Sequence, residues 1–489
     1  MTTPTDLFIG NEWLPAAGNR KFSVLNPATG DEYAAVADAN REDTVRAIDA
    51  AAAAADAWAA LPHSQRARLM TKVADIIEAR QMDFVAALSQ EGGAWFGKGM
   101  FESAYASGVY RAAAAAAYQV EGEILPSDHG KVSMVSRQPL GVVTVISPWN
   151  FPLLLSSRGL AFAAAIGNTI VLKPSEETPV SGGLLLAEAF AEAGVPEGVL
   201  NVVTCSRDSV AEVGDELVAN NNVKAVSFTG STPVGKMIAA QAGSLLKKAC
   251  IELGGKDALI VLEDADMERA VNAATFGKFM HQGQICMAVE RIIVHDSIVD
   301  EFTDNLLENV KKLKMGDPQD QSNVLGPIIN QKQLDHIHSQ VTEAVEQGAE
   351  LLTGGKYEGL YYEPTILINV NRKMRVFTDE TFGPVAPIIS FSNVDEAIEI
   401  ANDSEYGLSA GIITRNEELG LAIAGQLQTG MAHINDSSVN DEPNIPFGGV
   451  KNSGLGRHGG KWSIDTFTET RWITLDRGQR LYPPPFNMS

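Results

Sequence analysis

Gly141-Val142-Val143-Thr144-Val145-Ile146-Ser147-Pro148-Trp149-Asn150-Phe151-Pro152 is the stretch that decides the architecture. Its β-branched run over 142–146 reads as a fully buried strand. Residues 153–165 then read as a helix, and Thr169-Ile170-Val171-Leu172 as the next strand. Outward from there the rhythm continues: helix 180–193, strand 198–203, helix 208–219, strand 224–228 and a helix from Val234, with a strand at 258–262 closing the unit. Apolar strands alternating with helices indicate a doubly wound parallel sheet, hence an α/β fold. Residues 265–430 repeat the alternation and read as a second α/β unit. Ahead of the deciding stretch, 7–36 reads as short strands and 41–118 as helices. The segments 121–138 and 468–489 fit neither unit. Arms that pair with another subunit, disordered segments and edge strands all suit them.

Composition narrows the function. A chain of 489 residues requires more than one structural unit, and 45% hydrophobic with 20% charged residues suits a globular enzyme. A formal net charge of −23 argues against nucleic acid, whose phosphates need clustered Lys and Arg, and against anionic membrane surfaces. Three cysteines, Cys205, Cys250 and Cys286, form neither a disulfide framework nor a Cys-x-x-Cys metal pair. A reducing, cytoplasmic setting is expected. The opening Met1-Thr2-Thr3-Pro4-Thr5-Asp6 lacks a basic stretch followed by an apolar core, so no secretory leader is expected.

Cys286 lies in Gln282-Gly283-Gln284-Ile285-Cys286-Met287-Ala288, a more polar setting than most buried cysteines have. Upstream, Glu252-Leu253-Gly254-Gly255-Lys256 embeds a carboxylate in a glycine turn. A thiol nucleophile with a base is the minimum equipment for covalent catalysis. Asn150 follows a buried strand, where ligands collect in open α/β sheets, and its amide suits an oxyanion. Lys173 and Glu176 end the next strand at the same edge, suited to phosphate or ribose, although loop charge explains them equally well. Gly230-Ser231-Thr232-Pro233-Val234-Gly235-Lys236-Met237 is one residue short of a nucleotide-triphosphate loop. Met237 stands where a hydroxyl must hold Mg²⁺, so the helix start suits an anion or ribose instead. The literal glycine fingerprint Gly454-Leu455-Gly456-Arg457-His458-Gly459 does not link a first strand to a helix, and fails on context.

With Pro148-Trp149-Asn150-Phe151-Pro152, Glu252-Leu253-Gly254-Gly255-Lys256, Gly283-Gln284-Ile285-Cys286, Glu380-Thr381-Phe382-Gly383-Pro384 and Pro446-Phe447-Gly448-Gly449-Val450-Lys451-Asn452-Ser453-Gly454 in this order, the chain resembles the aldehyde dehydrogenase superfamily over nearly its whole length. The resemblance implies Cys286 as nucleophile, Glu252 as general base and Asn150 as oxyanion donor. It implies NAD as cofactor, with NADP as the alternative, held by Ile146, Ser147, Trp149, Lys173, Ser175, Glu176, Gly230, Ser231, Thr232, Val234, Gly235, Leu253, Glu380 and Phe382. It implies a cofactor domain over 1–120 and 139–251, a catalytic domain over 252–445, and a β arm from 121–138 and 468–489 that builds a homodimer or homotetramer. Glu252 favours hydrolysis to the free acid over transfer to coenzyme A.

Trp95, Arg158 and the stretch His433–Glu442 look like the branch acting on benzaldehyde, vanillin and salicylaldehyde. Phe151 and Trp95 are expected to wall an aromatic slot, and Arg158 to meet a ring hydroxyl or phenolate. Core packing of the two rings and an ion pair for Arg158 are the plain readings. Many relatives carry Glu after Gly-x-Gly-Arg where this chain has His458, which leaves a proton relay open. The alternatives are an aliphatic or semialdehyde dehydrogenase of the same mechanism, a catalytically silent family member and a nucleotide-triphosphate enzyme.

Overall fold

Strand Val142–Ile146 is buried along its length and lies at the centre of an eight-stranded sheet. A computed structural model describes residues 3–128, 130–478, 482–483 and 485–486. Across the first sheet the order is Glu12–Leu14, Leu7–Ile9, Leu200–Val202, Thr169–Lys173, Val142–Ile146, Val223–Thr229, Lys248–Glu252 and Gly454–Leu455. The five strands from Leu200–Val202 to Lys248–Glu252 are parallel, and each outer strand pairs antiparallel with its inner neighbour. From Val142–Ile146 the chain builds outward first on one side and then on the other. The carboxyl ends beside this strand therefore open a crevice at a topological switch point.

Helix Pro152–Ala165 begins with Pro at its first turn, where a missing N–H costs nothing, and is buried throughout. Leu153, Leu160 and Phe162 are at most 1% exposed, each contributing about 2 kcal/mol of burial. Trp58 ties the N-terminal helix Arg41–Ala60 to it, donating Nε1–H to the Ala164 carbonyl at 2.9 Å. The helix expected over 180–193 opens instead with a π turn, Val180–Leu184, continued by Leu185–Ala193. Buried Glu91 accepts the Val180 N–H there at 3.1 Å, and a Cβ on Gly183 would sit 2.8 Å from Pro174.

One sequence expectation is corrected. The strand assigned to close the first sheet, found at Asp257–Val261, belongs to a second sheet. Lys248–Glu252 takes the place beside Val223–Thr229. The second sheet runs Glu350–Thr353, Thr365–Ile368, Val385–Phe391, Val289–His295, Asp257–Val261, Ala410–Ile413 and His433–Ile434. The glycine turn at 254–255 thus carries the chain from one sheet to the other, with Glu252 at the end of one and Asp257 at the start of the next.

The two unassigned segments meet each other. Thr468–Leu475 pairs antiparallel with Val132–Pro139, which pairs with Glu123–Leu125. Residues 129, 479–481, 484 and 487–489 of the expected arm lie outside the described residues. Among the described residues no helix is long and apolar enough to cross a membrane.

Candidate active site

Cys286 is held by a strained loop. His281, Gln282 and Gly283 form three consecutive left-handed positions, at φ 49°, 57° and 71°. Such backbone costs about 1–3 kcal/mol per non-glycine residue and persists only where neighbours enforce it. They do so here: Gln282 donates Nε2–H to Pro327 O at 2.8 Å, and Gln284 Oε1 accepts the Ile329 N–H at 3.0 Å. The two glutamines flanking Gly283 are therefore ties that aim the loop. Ile285 and Met287 face the core while Cys286 is half-buried. A Cβ on Gly283 would overlap the Gly383 carbonyl. Gly283→Ala is expected to displace the thiol and lower kcat about 100-fold with the fold retained, checked by steady-state kinetics beside circular dichroism.

The other two groups converge on the thiol. Asn150, 3% exposed, donates Nδ2–H to the Gln284 carbonyl at 2.9 Å. Glu252 is 2% exposed at the end of Lys248–Glu252, and its Oε1 has no hydrogen-bond partner. Burial pushes its carboxyl up to about 7, while the Arg158 charge and the Cys286 thiol pull it down. Burial and the Glu252 charge hold the Cys286 thiol well above its ordinary range. The thiol proton thus has one acceptor at hand, and that acceptor titrates near neutrality.

Two cavities meet here. One, of about 180 Å³, is bordered by Trp149, Gly230, Glu252, Leu253, Glu380 and Phe382. Through Trp149, Gly230 and Ser231 it continues into a groove of about 690 Å³ along the strand ends. The other, of about 170 Å³, is bordered by Phe101, Phe151, Leu154, Arg158, Met280 and Phe447. Asn150, Leu155 and Cys286 border both.

Of the residues expected to hold a dinucleotide, Ile146, Ser147, Trp149, Lys173, Ser175, Glu176, Gly230, Ser231 and Val234 border the groove. Leu253, Glu380 and Phe382 border the cavity of about 180 Å³ that opens into it. Thr232 and Gly235 border neither: Thr232 Oγ1 donates to Asn452 O at 3.4 Å, and Leu253 packs against Gly235 so closely that a Cβ would clash. Helix Thr232–Ser244 starts at Ser231 with no side-chain cap and Pro233 in its first turn, and Ser231 and Val234 at this helix start border the groove, a position suited to a pyrophosphate. Lys173 Nζ donates to Pro174 O at 3.1 Å and lies 3.7 Å from Glu176. Among the described residues no cluster suits a metal ion.

Of the expected substrate residues, Phe151 and Arg158 border the apolar cavity, and Trp95 does not. Trp95 precedes helix Phe96–Ala116, and its ring folds over Gly97, filling the space a Cβ would need. Arg158 is buried, paired with Asp441 and stacked 3.8 Å over the Phe447 ring. The sequence reading missed Phe101, Leu154, Leu155, Met280 and Phe447. Leu154 and Leu155 were findable, since with Phe151 and Arg158 they share one face of a helix. His458 borders neither cavity. It exchanges backbone hydrogen bonds with Phe447, and burial and the Arg158 charge press its imidazole down to about 3, so it is neutral.

Comparison with known proteins places this geometry. A model of the aldehyde dehydrogenase family matches residues 13–473. The chain is 44% identical over 475 residues to benzaldehyde dehydrogenase [NAD(+)] of Pseudomonas putida, covering 97% of this chain and 96% of that protein. It is 45% identical over 479 residues to vanillin dehydrogenase of Amycolatopsis sp., covering 98% and 97%. The crystal structure of a salicylaldehyde dehydrogenase from Pseudomonas putida G7 complexed with salicylaldehyde superimposes with a TM-score of 0.96 at 38% identity, covering 98% of this chain and 99% of that one.

Proposed function

The chain belongs to the aldehyde dehydrogenase family, and from that premise we propose that it oxidises aromatic aldehydes to free carboxylic acids, with NAD preferred over NADP. The observation that carries this reading is the position of Cys286 between an apolar cavity and the groove at the strand ends. Phe101, Phe151 and Phe447 supply flat apolar walls suited to an aryl ring. The relatives named for benzaldehyde, vanillin and salicylaldehyde support the same substrate class.

The chemistry follows from the side chains. Glu252 takes the thiol proton, and the Cys286 thiolate adds to the aldehyde carbon. The resulting alkoxide is stabilised by the Cys286 N–H and the Asn150 amide. Asn150 spends one N–H on Gln284 O and keeps the other for this oxyanion. A nicotinamide dinucleotide bound in the groove would supply the hydride acceptor, and Cys286 would then hold the acyl group as a thioester. Glu252 releases the thiol proton to solvent and then takes a proton from water, whose oxygen attacks the thioester. The acid leaves, and Glu252 returns this proton to the departing sulfur, restoring the thiol.

Arg158 already has its charge paired with Asp441, so the ring substituent it suits is a neutral hydroxyl rather than a phenolate. Glu176 supports NAD, since a carboxylate accepts from a ribose 2′-hydroxyl and repels a 2′-phosphate. Ile124 and Trp472, 81% and 70% exposed on the small sheet, support a homodimer or homotetramer. The free cysteines support a cytoplasmic setting. Steady-state NADH formation tests the reading. Benzaldehyde-type substrates are expected to exceed hexanal and succinic semialdehyde about tenfold or more in kcat/KM, and NAD to exceed NADP by a similar factor. The reverse order for either pair overturns that part.

A further inference from the structure

Glu290 lies four residues beyond Cys286, near the start of strand Val289–His295, and is 1% exposed. Its Oε2 accepts from Lys256 Nζ at 2.8 Å and from the Thr381 N–H at 2.9 Å. Its Oε1 accepts from Lys278 Nζ at 2.8 Å and from the Phe382 N–H at 3.3 Å. Lys256 also donates to Thr381 Oγ1 at 3.1 Å. Beside this hub, Glu380 Oε1 accepts the Gly255 N–H at 3.0 Å. Both lysines are fully buried.

One carboxylate therefore pins four segments around the nucleophile: the strand that continues its loop, the end of helix Met267–Phe279 through Lys278, the glycine turn that follows Glu252, and the Glu380–Phe382 loop. Phe382 is held at φ 50° with its ring edge-on to Trp149, 5.4 Å between centroids, on the wall of the cavity that Cys286 shares with the groove. Buried ion pairs are poor stabilisers, because desolvation consumes most of what attraction returns. An arrangement of one carboxylate and two ammonium groups, all buried, is better explained by what it places.

We propose that Glu290 is a positioning residue that fixes the Glu380–Phe382 loop, and with it the nicotinamide end of the dinucleotide, relative to Cys286. The inference rests on the family's dehydrogenase chemistry and not on the choice of aldehyde. All four partners of Glu290 are donors. In Glu290→Gln an amide N–H must therefore face a donor, and the loop loses at least one anchor while side-chain shape is kept.

Three readouts on the full chain test it. In Glu290→Gln without dinucleotide, amide hydrogen exchange across 378–385 is expected to accelerate, and NADH binding, followed by tryptophan quenching, to weaken about tenfold. With the best aldehyde of the parent protein, kcat is expected to fall about 100-fold at nearly constant aldehyde KM. The primary deuterium isotope effect from an aldehyde deuterated at the formyl carbon should rise as hydride transfer becomes limiting. Lys278→Met removes a buried charge partner of the same carboxylate but leaves both loop anchors. It is expected to lower the melting temperature without moving NADH affinity or the isotope effect. Equal effects of the two variants on those readouts overturn the proposal, as does a folded Glu290→Gln protein with parental values. If Glu290→Gln does not fold, Thr381→Val, which cuts the loop's hydroxyl contacts to Lys256 and Gln340, must shift exchange and NADH affinity in the same direction, and no shift overturns it. A wrong aldehyde class lowers parent and variant together, so their ratio separates the two failures.

Discussion

Replacing Cys286 with alanine is expected to abolish aldehyde oxidation, by about 10⁴-fold or more, while NADH binding stays at the parental value. The size follows from the lack of a substitute. Cys205 and Cys250 are fully buried, and burial raises both thiols, Cys250 to about 12, so neither offers a thiolate near neutral pH. Neither borders the cavities where Cys286 stands. Without the sulfur the Asn150 amide still faces the aldehyde, but no covalent alkoxide forms for it to stabilise. Two measurements check this. NADH absorbance reports turnover, and mass spectrometry after incubation with aldehyde and dinucleotide reports the acyl mass on the peptide containing Cys286. Turnover retained in the alanine variant, or an acyl mass on another residue, removes Cys286 from the mechanism.

What the sequence made legible, and what it hid, follow one physical division. Val142–Ile146 was readable because β-branched residues with no charge have few places to go except a buried strand. Lys248–Glu252 was not: Lys, Ala, Cys and Glu form no apolar run, and its burial comes from neighbouring strands rather than from its own composition. Periodicity identifies a strand without saying which sheet receives it, so Asp257–Val261 was assigned to the sheet that precedes it in the chain. The convergence of Cys286, Glu252 and Asn150 was legible because thiol, carboxylate and amide sit in short segments of unusual type. Lys256, Lys278 and Glu290 were not, because a charged residue in a sequence reads as solvated surface unless its partner is known, and these partners lie 12 and 34 residues away along the chain. Trp95 stands outside the lining of the apolar cavity. An indole near a slot in sequence logic packed over the adjacent Gly97 instead.

Glu252→Gln is expected to divide the reaction in two. The Gln variant loses the Glu252 charge that holds the Cys286 thiol up, so the thiol gives its proton to solvent instead. Acylation is slowed but still delivers one equivalent of NADH per active site, and steady-state turnover falls about 10²–10⁴-fold because the thioester waits for water without a base. Stopped-flow absorbance should show the burst, and quenched samples the accumulated acyl-enzyme. An unchanged steady state would remove Glu252 as the base. The pH dependence has a defined sign. The parental deacylation rate should rise as pH climbs through about 7, where Glu252 ionises, and the Gln variant should lose that rise. Stability runs the other way. A carboxyl raised from 4.5 to about 7 binds its proton more tightly folded than unfolded. Its contribution to stability is therefore full below about pH 4.5 and lost as pH rises through about 7, a difference of about 3 kcal/mol. The uncharged amide escapes that loss. Glu252→Gln should accordingly melt at a higher temperature than the parent at pH 8, with the gap closing toward pH 4.5. A carboxylate kept for structure would lose stability on the same substitution, so a variant that is slower and more stable at once identifies Glu252 as a group held against its own solvation for catalysis.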